Sequence, residues 1–149
     1  MNHDRKYWIG VASRDHVMRG INEGICQFCH GKRSPAQRLK KDDYIIYYSP
    51  RIAFNGTEPC QKFTAIGIVA DEQPYQVNLS PEFKPFRRRV HYLHATEIDI
   101  KPLIHDLLFI NNKQAWGATF RFGFLQIDEL SFKIIYGRMM EPNCETLNL

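Results

Sequence analysis

Hydrophobic residues in this chain fall in short runs rich in β-branched and aromatic side chains, separated by polar turns. Tyr7-Trp8-Ile9-Gly10-Val11-Ala12 reads as a buried strand. Lys40-Lys41-Asp42-Asp43 is a turn into a second strand, Tyr44-Ile45-Ile46-Tyr47-Tyr48-Ser49. Phe63 to Val69 is a third and Phe86 to Leu93 a fourth. Asn55-Gly56 and Pro59 mark residues 51 to 61 as a loop or hairpin tip, and Pro81 and Pro85 bracket another loop. Helical signals are fewer. Ser13 stands at an N-cap position with Asp15 in the favourable first turn, Val17, Met18 and Ile21 form a stripe, and Gly24 is a stop. Pro102 suits the first turn of a short helix through Asp106, and Asn111-Asn112 is a turn. Thr119 to Phe124 reads as a strand with Phe120, Phe122 and Phe124 on a core face and Arg121 opposite. Asp128 caps a last helix in which Leu130 and Ile134 share a face. Short strands with peripheral short helices predict an α+β domain built on a small, partly closed β-barrel.

Composition narrows the class only a little. A chain of 149 residues, 44% hydrophobic, is one globular domain with a real core, expected to span residues 1–149. The net charge of +4 is mildly basic and serves a soluble surface as readily as a nucleic-acid partner. No run of about 18 apolar residues is present, so no membrane span is expected. The start, Met1 to Lys6, lacks the apolar region of a signal peptide, and a cytoplasmic location is the default expectation.

Cys26-Gln27-Phe28-Cys29-His30 matches the haem-attachment spacing, but attachment requires export and no export signal is seen. A zinc site needs four ligands. Cys60 and Cys144 stand alone, without a second paired spacing, so no metal and no cofactor is expected. No phosphate-cradling glycine-rich loop is present.

What stands out is a loop crowded with aromatic, cationic and turn-forming residues, Phe28-Cys29-His30-Gly31-Lys32, beside a strand carrying three tyrosines. Aromatic faces stack on bases and cations hold phosphates, so this pairing points to a protein that grips a nucleobase. Arg87-Arg88-Arg89 alternates along a strand and is either a phosphate clamp on one face or the charged guard of a sheet edge. A buried Arg88 requires a carboxylate or phosphate partner. Trp116, beside Gly117, is either a stacking wall or a core residue, whereas Trp8 belongs to the core.

Taken in order, Tyr7-Trp8-Ile9, Cys29-His30-Gly31-Lys32, Tyr47-Tyr48-Ser49-Pro50, Pro85-Phe86-Arg87-Arg88, Phe109-Ile110, Trp116-Gly117 and Phe120-Arg121-Phe122-Gly123 resemble the EVE domain family of the PUA-like superfamily. The resemblance spans residues 7 to 124, nearly the whole chain. It implies a PUA-like β-barrel with flanking short helices, related to the YTH domains that read methylated adenine in RNA and to readers of modified cytosine in DNA. It further implies a non-catalytic protein that binds RNA or DNA by taking a modified base, flipped from its strand, into an aromatic-walled pocket. By position, Ser13 and Arg14 would lie near the phosphate. Gln27, Phe28, His30 and Lys32 would form one wall and its rim, Trp116 another wall, and Tyr48 and Ser49 the floor. Arg87, Arg88 and Arg121 would hold the backbone. Where YTH relatives place a tryptophan in the first wall, this chain has Gln27-Phe28-Cys29, so a preference for methylated adenine does not carry over. The rival expectation is a small amidohydrolase resembling the ASCH domains, with Lys32 as base beside Ser34 and Glu97. A third reading, a pocket for a small ligand or a domain that serves only protein partners, is left open by composition, and protein partners are unknown.

Overall fold

The computed structural model describes residues 4–141. Its elements, in chain order, are β1 (Tyr7–Val11), α1 (Arg14–Glu23), β2 (Ile25–Cys26), α2 (Arg33–Arg38), β3 (Tyr44–Arg51), β4 (Pro59–Val69), β5 (Tyr75–Gln76), β6 (Phe86–Tyr92), β7 (Ile98–Asp99), β8 (Phe124–Ile127) and α3 (Glu129–Met140). Short stretches of tighter helix occupy Cys29–Gly31, Lys101–Asp106 and Trp116–Phe120.

The eight strands form one sheet in the order β2-β6-β4-β3-β1-β8, with β5 added to β6 and β7 to β4. It curls into a half-barrel, in agreement with the expected PUA-like architecture. β1 and β3 are parallel, and every other pairing is antiparallel. A parallel neighbour needs a crossover. Here α1, β2 and α2 supply it, and their loops build one wall of the cleft described below.

The uninterrupted apolar run of β3 has a physical reason: both faces of the sheet are covered. Ile45 and Tyr47 point into a core with Trp8, Val17, Phe28 and Phe124, beneath α1 and α2. Ile46 and Tyr48 point into a second core with Ile9, Phe63, Ile100 and Ile135, beneath α3. The pairing of β3 with β4 shifts register between Tyr47 and Tyr48 and again between Ser49 and Arg51. Such bulges bend a strand and increase its twist.

Asp43, 1% exposed, fastens the start of the parallel pair. It accepts from the backbone N–H of Lys6 at 3.0 Å, from that of Lys40 at 3.0 Å and from Trp8 Nε1 at 2.9 Å. Trp8 is a core residue as expected, stacked on Phe124 with centroids 4.9 Å apart. No helix among the described residues is long and apolar enough to cross a membrane.

Three expectations are corrected. Thr119 to Phe124 is not a strand: Phe120 ends a helical turn, Phe122 is 85% exposed, and Phe124 opens β8. Gly123 adopts φ +78° and turns the chain there, which breaks the alternation. In α1 the buried face is Val17 and Gly20, and Ile21 is exposed. Gly20 lets the Ile25 carbonyl approach to where a Cβ would stand 2.9 Å from it. In α3 the inward face is Ser131, Phe132, Ile135 and Met139, and Leu130 lies in solvent. Asp128 does cap this helix, accepting from the Ser131 N–H at 2.8 Å, and Ser131 Oγ accepts from the Leu108 N–H at 2.8 Å. Those bonds turn the face inward one residue later than the apolar pattern indicates.

Candidate nucleic-acid interface

A cleft of about 790 Å³ opens where the end of β1, the outer face of α1, residues 27–32, the end of β3 and residues 120–123 meet. The 27–32 wall owes its shape to a left-handed turn. Cys29, His30 and Gly31 have φ of 52°, 61° and 82°, a conformation that costs a non-glycine residue about 1–2 kcal/mol. Packing holds it in place. Gly31 lies so close to Pro85 that a Cβ would clash with the proline ring, and Cys29 Sγ contacts the Phe122 carbonyl oxygen at 3.5 Å. Phe28 anchors the turn from below. It is 3% exposed, packed on Tyr47 and Phe124 at centroid distances of 5.4 and 4.8 Å and lying directly on Gly10. It is thus a core residue, and the wall it was expected to form is made by its neighbours Gln27, Cys29, His30 and Lys32.

Gln27 is fixed on three sides. Its backbone N–H donates to the Tyr47 hydroxyl at 3.2 Å, that hydroxyl donates to the Gln27 carbonyl at 3.2 Å, and Arg87 Nε donates to Gln27 Oε1 at 2.9 Å. Burial raises the Tyr47 phenol well above its ordinary pKa, so it stays protonated and able to donate. Nearby His16 is held below the usual imidazole range, first by burial and then by the charges of Arg19 and Arg87.

The cleft's charge is one-sided. Arg19, Lys32, Arg51, Arg87 and Arg121 line it, with Glu23 as the one carboxylate among the lining side chains. Among the described residues, none of those five cations forms an ion pair. The rim also carries exposed apolar side chains: Phe54 at 57%, Leu79 at 52%, Phe83 at 39% and Phe122 at 85%. Asp15 tethers the Phe54 loop to α1. One carboxylate oxygen accepts from Ser13 Oγ and the His16 N–H, and the other accepts from the Phe54 N–H at 3.4 Å. The Ser13 hydroxyl bond, foremost, holds the Asp15 carboxyl below the usual range.

Of the residues singled out in the sequence, Ser13, Gln27, His30, Lys32, Arg87 and Arg121 are brought together here. The rest are not. Arg14 is bound to Glu97 through two bonds of 2.8 and 2.7 Å. That ion pair also occupies the carboxylate of the hydrolase reading, and Glu97 does not line the cleft with Lys32. Arg88 is wholly buried, donating to Asp71 Oδ1 at 2.7 Å, to the Asp71 carbonyl at 2.8 Å, to the Ala36 carbonyl at 2.9 Å and to that of Leu39. Its carboxylate partner is internal, so it is no backbone clamp. Tyr48 stacks on Phe120 at 4.2 Å within the core under α3. Ser49 shares a 2.8 Å hydrogen bond with Thr64 and is fully buried. Trp116 meets Tyr48 and Phe120 edge-on at 6.4 and 6.5 Å, outside the cleft lining.

The sequence reading missed Phe54, Phe83, Phe122, Arg19 and Arg51. A signal existed for Phe54 and Phe83, aromatic residues within loops where no core claims them, whereas the apparent alternation with Phe120 and Phe124 hid Phe122. Cys26 is buried, and Cys144 lies outside the described residues. No cluster of metal-ligating side chains occurs among the described residues.

The half-barrel is shared with several solved structures. A YTH domain of the Zygosaccharomyces rouxii MRB1 protein, in complex with N6-methyladenosine RNA, superposes with a TM-score of 0.61 over 97% of this chain and 94% of its own, at 13% identity. A hypothetical protein from Leishmania major gives 0.57 over 92% and 96%, at 12% identity. These likenesses establish the fold. The family follows from sequence: the EVE domain model matches residues 6–138, and the chain belongs to the EVE domain family. Relatives include a UPF0310 protein of Mycolicibacterium vanbaalenii, 45% identical over 91% of this chain and 93% of that protein. Another, from Bacillus licheniformis, is 46% identical over 87% and 88%.

Proposed function

We propose that this protein is a non-catalytic reader of nucleic acid, RNA or DNA, and that the cleft between α1, residues 27–32 and residues 120–123 receives the nucleotide. The observation that carries this reading is the convergence of five unpaired cations with exposed phenylalanine rings. A cation with no carboxylate partner is free to replace the counterions of a phosphate, and an exposed ring offers a face to a base. Arg19, Lys32, Arg51 and Arg121 are the phosphate contacts, and Phe54 and Phe122 are the stacking faces. A volume of about 790 Å³ is ample for a nucleotide turned out of its strand. The YTH domain that shares this fold is in complex with an RNA carrying a methylated adenosine, which supports a modified base as the ligand.

The test is fluorescence anisotropy with labelled single-stranded RNA and DNA across a salt series. Affinity is expected to fall log-linearly with salt, by roughly 0.7 in slope per phosphate contacted. Nucleoside mass spectrometry on nucleic acid retained by the protein, with Phe54→Ala/Phe122→Ala as control, then identifies the modification. Absence of binding at low salt would overturn the reading, and equal retention of modified and unmodified nucleosides would remove its modified-base part.

A further inference from the structure

Residues 75–87 form a narrow two-stranded ribbon at the mouth of the cleft. β5 pairs with β6 and with no other strand among the described residues, Tyr75 against Arg87 and Gln76 against Phe86. The ribbon continues past that pairing: the Val77 N–H donates to the Pro85 carbonyl at 2.9 Å and Gln76 Nε2 to the Lys84 carbonyl at 3.0 Å. It closes in a tight turn, Ser80-Pro81-Glu82-Phe83, where the Phe83 N–H donates to the Ser80 carbonyl at 3.1 Å. Pro81 stands at the second turn position, and its fixed φ presets the bend. The Leu79 and Ser80 N–H groups both donate to the Phe83 carbonyl at 3.1 Å. At the base, buried Pro85 packs directly on Gly31 of the 27–32 wall. The tip thus holds one shape before any ligand arrives.

That shape carries two large apolar side chains with no core to enter. Leu79 and Phe83 are both exposed and both line the cleft. With Phe54 and Phe122 they make four of the seven large apolar residues exposed among the described residues, so the exposure is concentrated here rather than scattered. From Val77 to Phe83 the one charged side chain is Glu82. A tip without a cation is no phosphate contact, and Leu79 has no ring to stack on an unpaired base. An aliphatic side chain gains instead by leaving water between two base pairs, which is how apolar wedges act on a duplex.

We infer that the ribbon tip is a wedge: Leu79 and Phe83 enter the base stack of double-stranded DNA and fill the space left by the nucleotide turned into the cleft. This rests on the reader function proposed above and names the form of nucleic acid that is read. Turning a paired base out of its stack costs a few kcal/mol, and a wedge lowers that cost by replacing the lost contacts. Arg19, Lys32, Arg51 and Arg121, which form no ion pair among the described residues, supply the charge that holds the phosphates flanking the gap. A single strand has no stacked pairs to hold apart, so the tip contributes nothing there. A two-stranded ribbon fits the major groove of B-form DNA, about 12 Å wide, whereas the deep, narrow major groove of A-form RNA does not admit it.

The experiment titrates the full chain at low salt against three labelled probes of one sequence: a short DNA duplex with a central mismatch, the matching RNA duplex and the DNA single strand. The mismatch keeps the cost of turning out a base small. A fluorescent adenine analogue beside it, quenched by stacking, brightens when the stack opens. Wild type is expected to bind the DNA duplex and brighten the analogue. Leu79→Ser/Phe83→Ser should weaken the DNA duplex about tenfold and abolish the brightening, while affinity for the single strand and the unfolding midpoint stay unchanged. Equal weakening of duplex and single strand would overturn the wedge and make the tip one more stacking face. A variant unchanged on every probe would also overturn it and leave the tip to a protein partner. Wild-type binding to the single strand alone, or brightening of the RNA duplex to the same extent, would overturn the choice of double-stranded DNA while leaving a nucleic-acid reader standing. Failure of wild type to bind any probe would instead overturn the reader function itself.

Discussion

Arg87 and Arg88 are neighbours on β6, yet they lie in opposite circumstances. Arg88 points inward, is wholly buried and is saturated by Asp71 and three backbone carbonyls. Arg87 points into the cleft, donates to a neutral amide and has no carboxylate among the described residues. The contrast repeats across the molecule: Arg14 is paired with Glu97 outside the cleft, whereas Arg19, five residues further along α1, lines it without an ion pair. A positive charge is available to a ligand only where the fold has not already neutralised it. Net charge counts both kinds alike.

The sharpest way to break the contrast is to neutralise each arginine in turn. Arg88→Met should cost about 3–5 kcal/mol of stability, because it strips the donor from Asp71 and the three carbonyls. Arg87→Met, which loses one hydrogen bond to a neutral amide, should cost only about 0.5–1.5 kcal/mol. Urea unfolding of the two variants measures the difference, and equal losses would sink the distinction.

The same logic separates the aromatic residues. Phe54→Ala and Phe122→Ala should each lower nucleic-acid affinity by about 1–3 kcal/mol without moving the unfolding midpoint. Trp116→Ala should do the reverse, lowering the midpoint because its ring packs on Tyr48 and Phe120 while leaving affinity unchanged. Loss of binding in the Trp116 variant at intact stability would restore tryptophan as a cleft wall.

A smaller effect concerns salt. Lys32→Ala and Arg121→Ala should each reduce the slope of log affinity against log salt by about 0.7, and Arg14→Ala should leave it unchanged. Anisotropy titrations at several salt concentrations read this directly.

The smallest effect comes from His16. Burial holds its folded pKa below the ordinary value of about 6.5, so the unfolded chain takes up a proton more readily. Stability from this group is therefore full above about pH 6.5 and declines as the pH falls through its lowered folded value. Thermal melts over that range should show a shallower acid-side decline for His16→Gln than for wild type.

Much of the strand framework was legible in the chain, because β1, β3, β4 and β6 carry apolar residues that have no other place to go. Gly24 and Asp128 marked helix ends correctly for the same local reason, one through its left-handed φ of 70° and one through its cap bond to Ser131. The strands β2, β5 and β7 were illegible, since two residues carry no period. Helix α2 buries only Ala36 and so left no apolar stripe to read. The candidate site was half legible. Gln27, His30, Lys32, Arg87 and Arg121 share the cleft, but Phe28, Tyr48, Ser49, Arg88 and Trp116 are occupied elsewhere.

Sequence alone determined that this chain buries short apolar strands in a sheet, and that a loop with aromatic and basic residues interrupts it between β1 and β3. Side-chain chemistry and the period of two are properties of the chain itself. Which cations stay unpaired, which rings reach solvent and which way the Gln27 amide faces were decided only in three dimensions. Each depends on a partner distant in sequence: Asp71 for Arg88, Glu97 for Arg14, Arg87 for Gln27. No local pattern encodes the meeting of two segments tens of residues apart, and that meeting separates an internal ion pair from a binding surface.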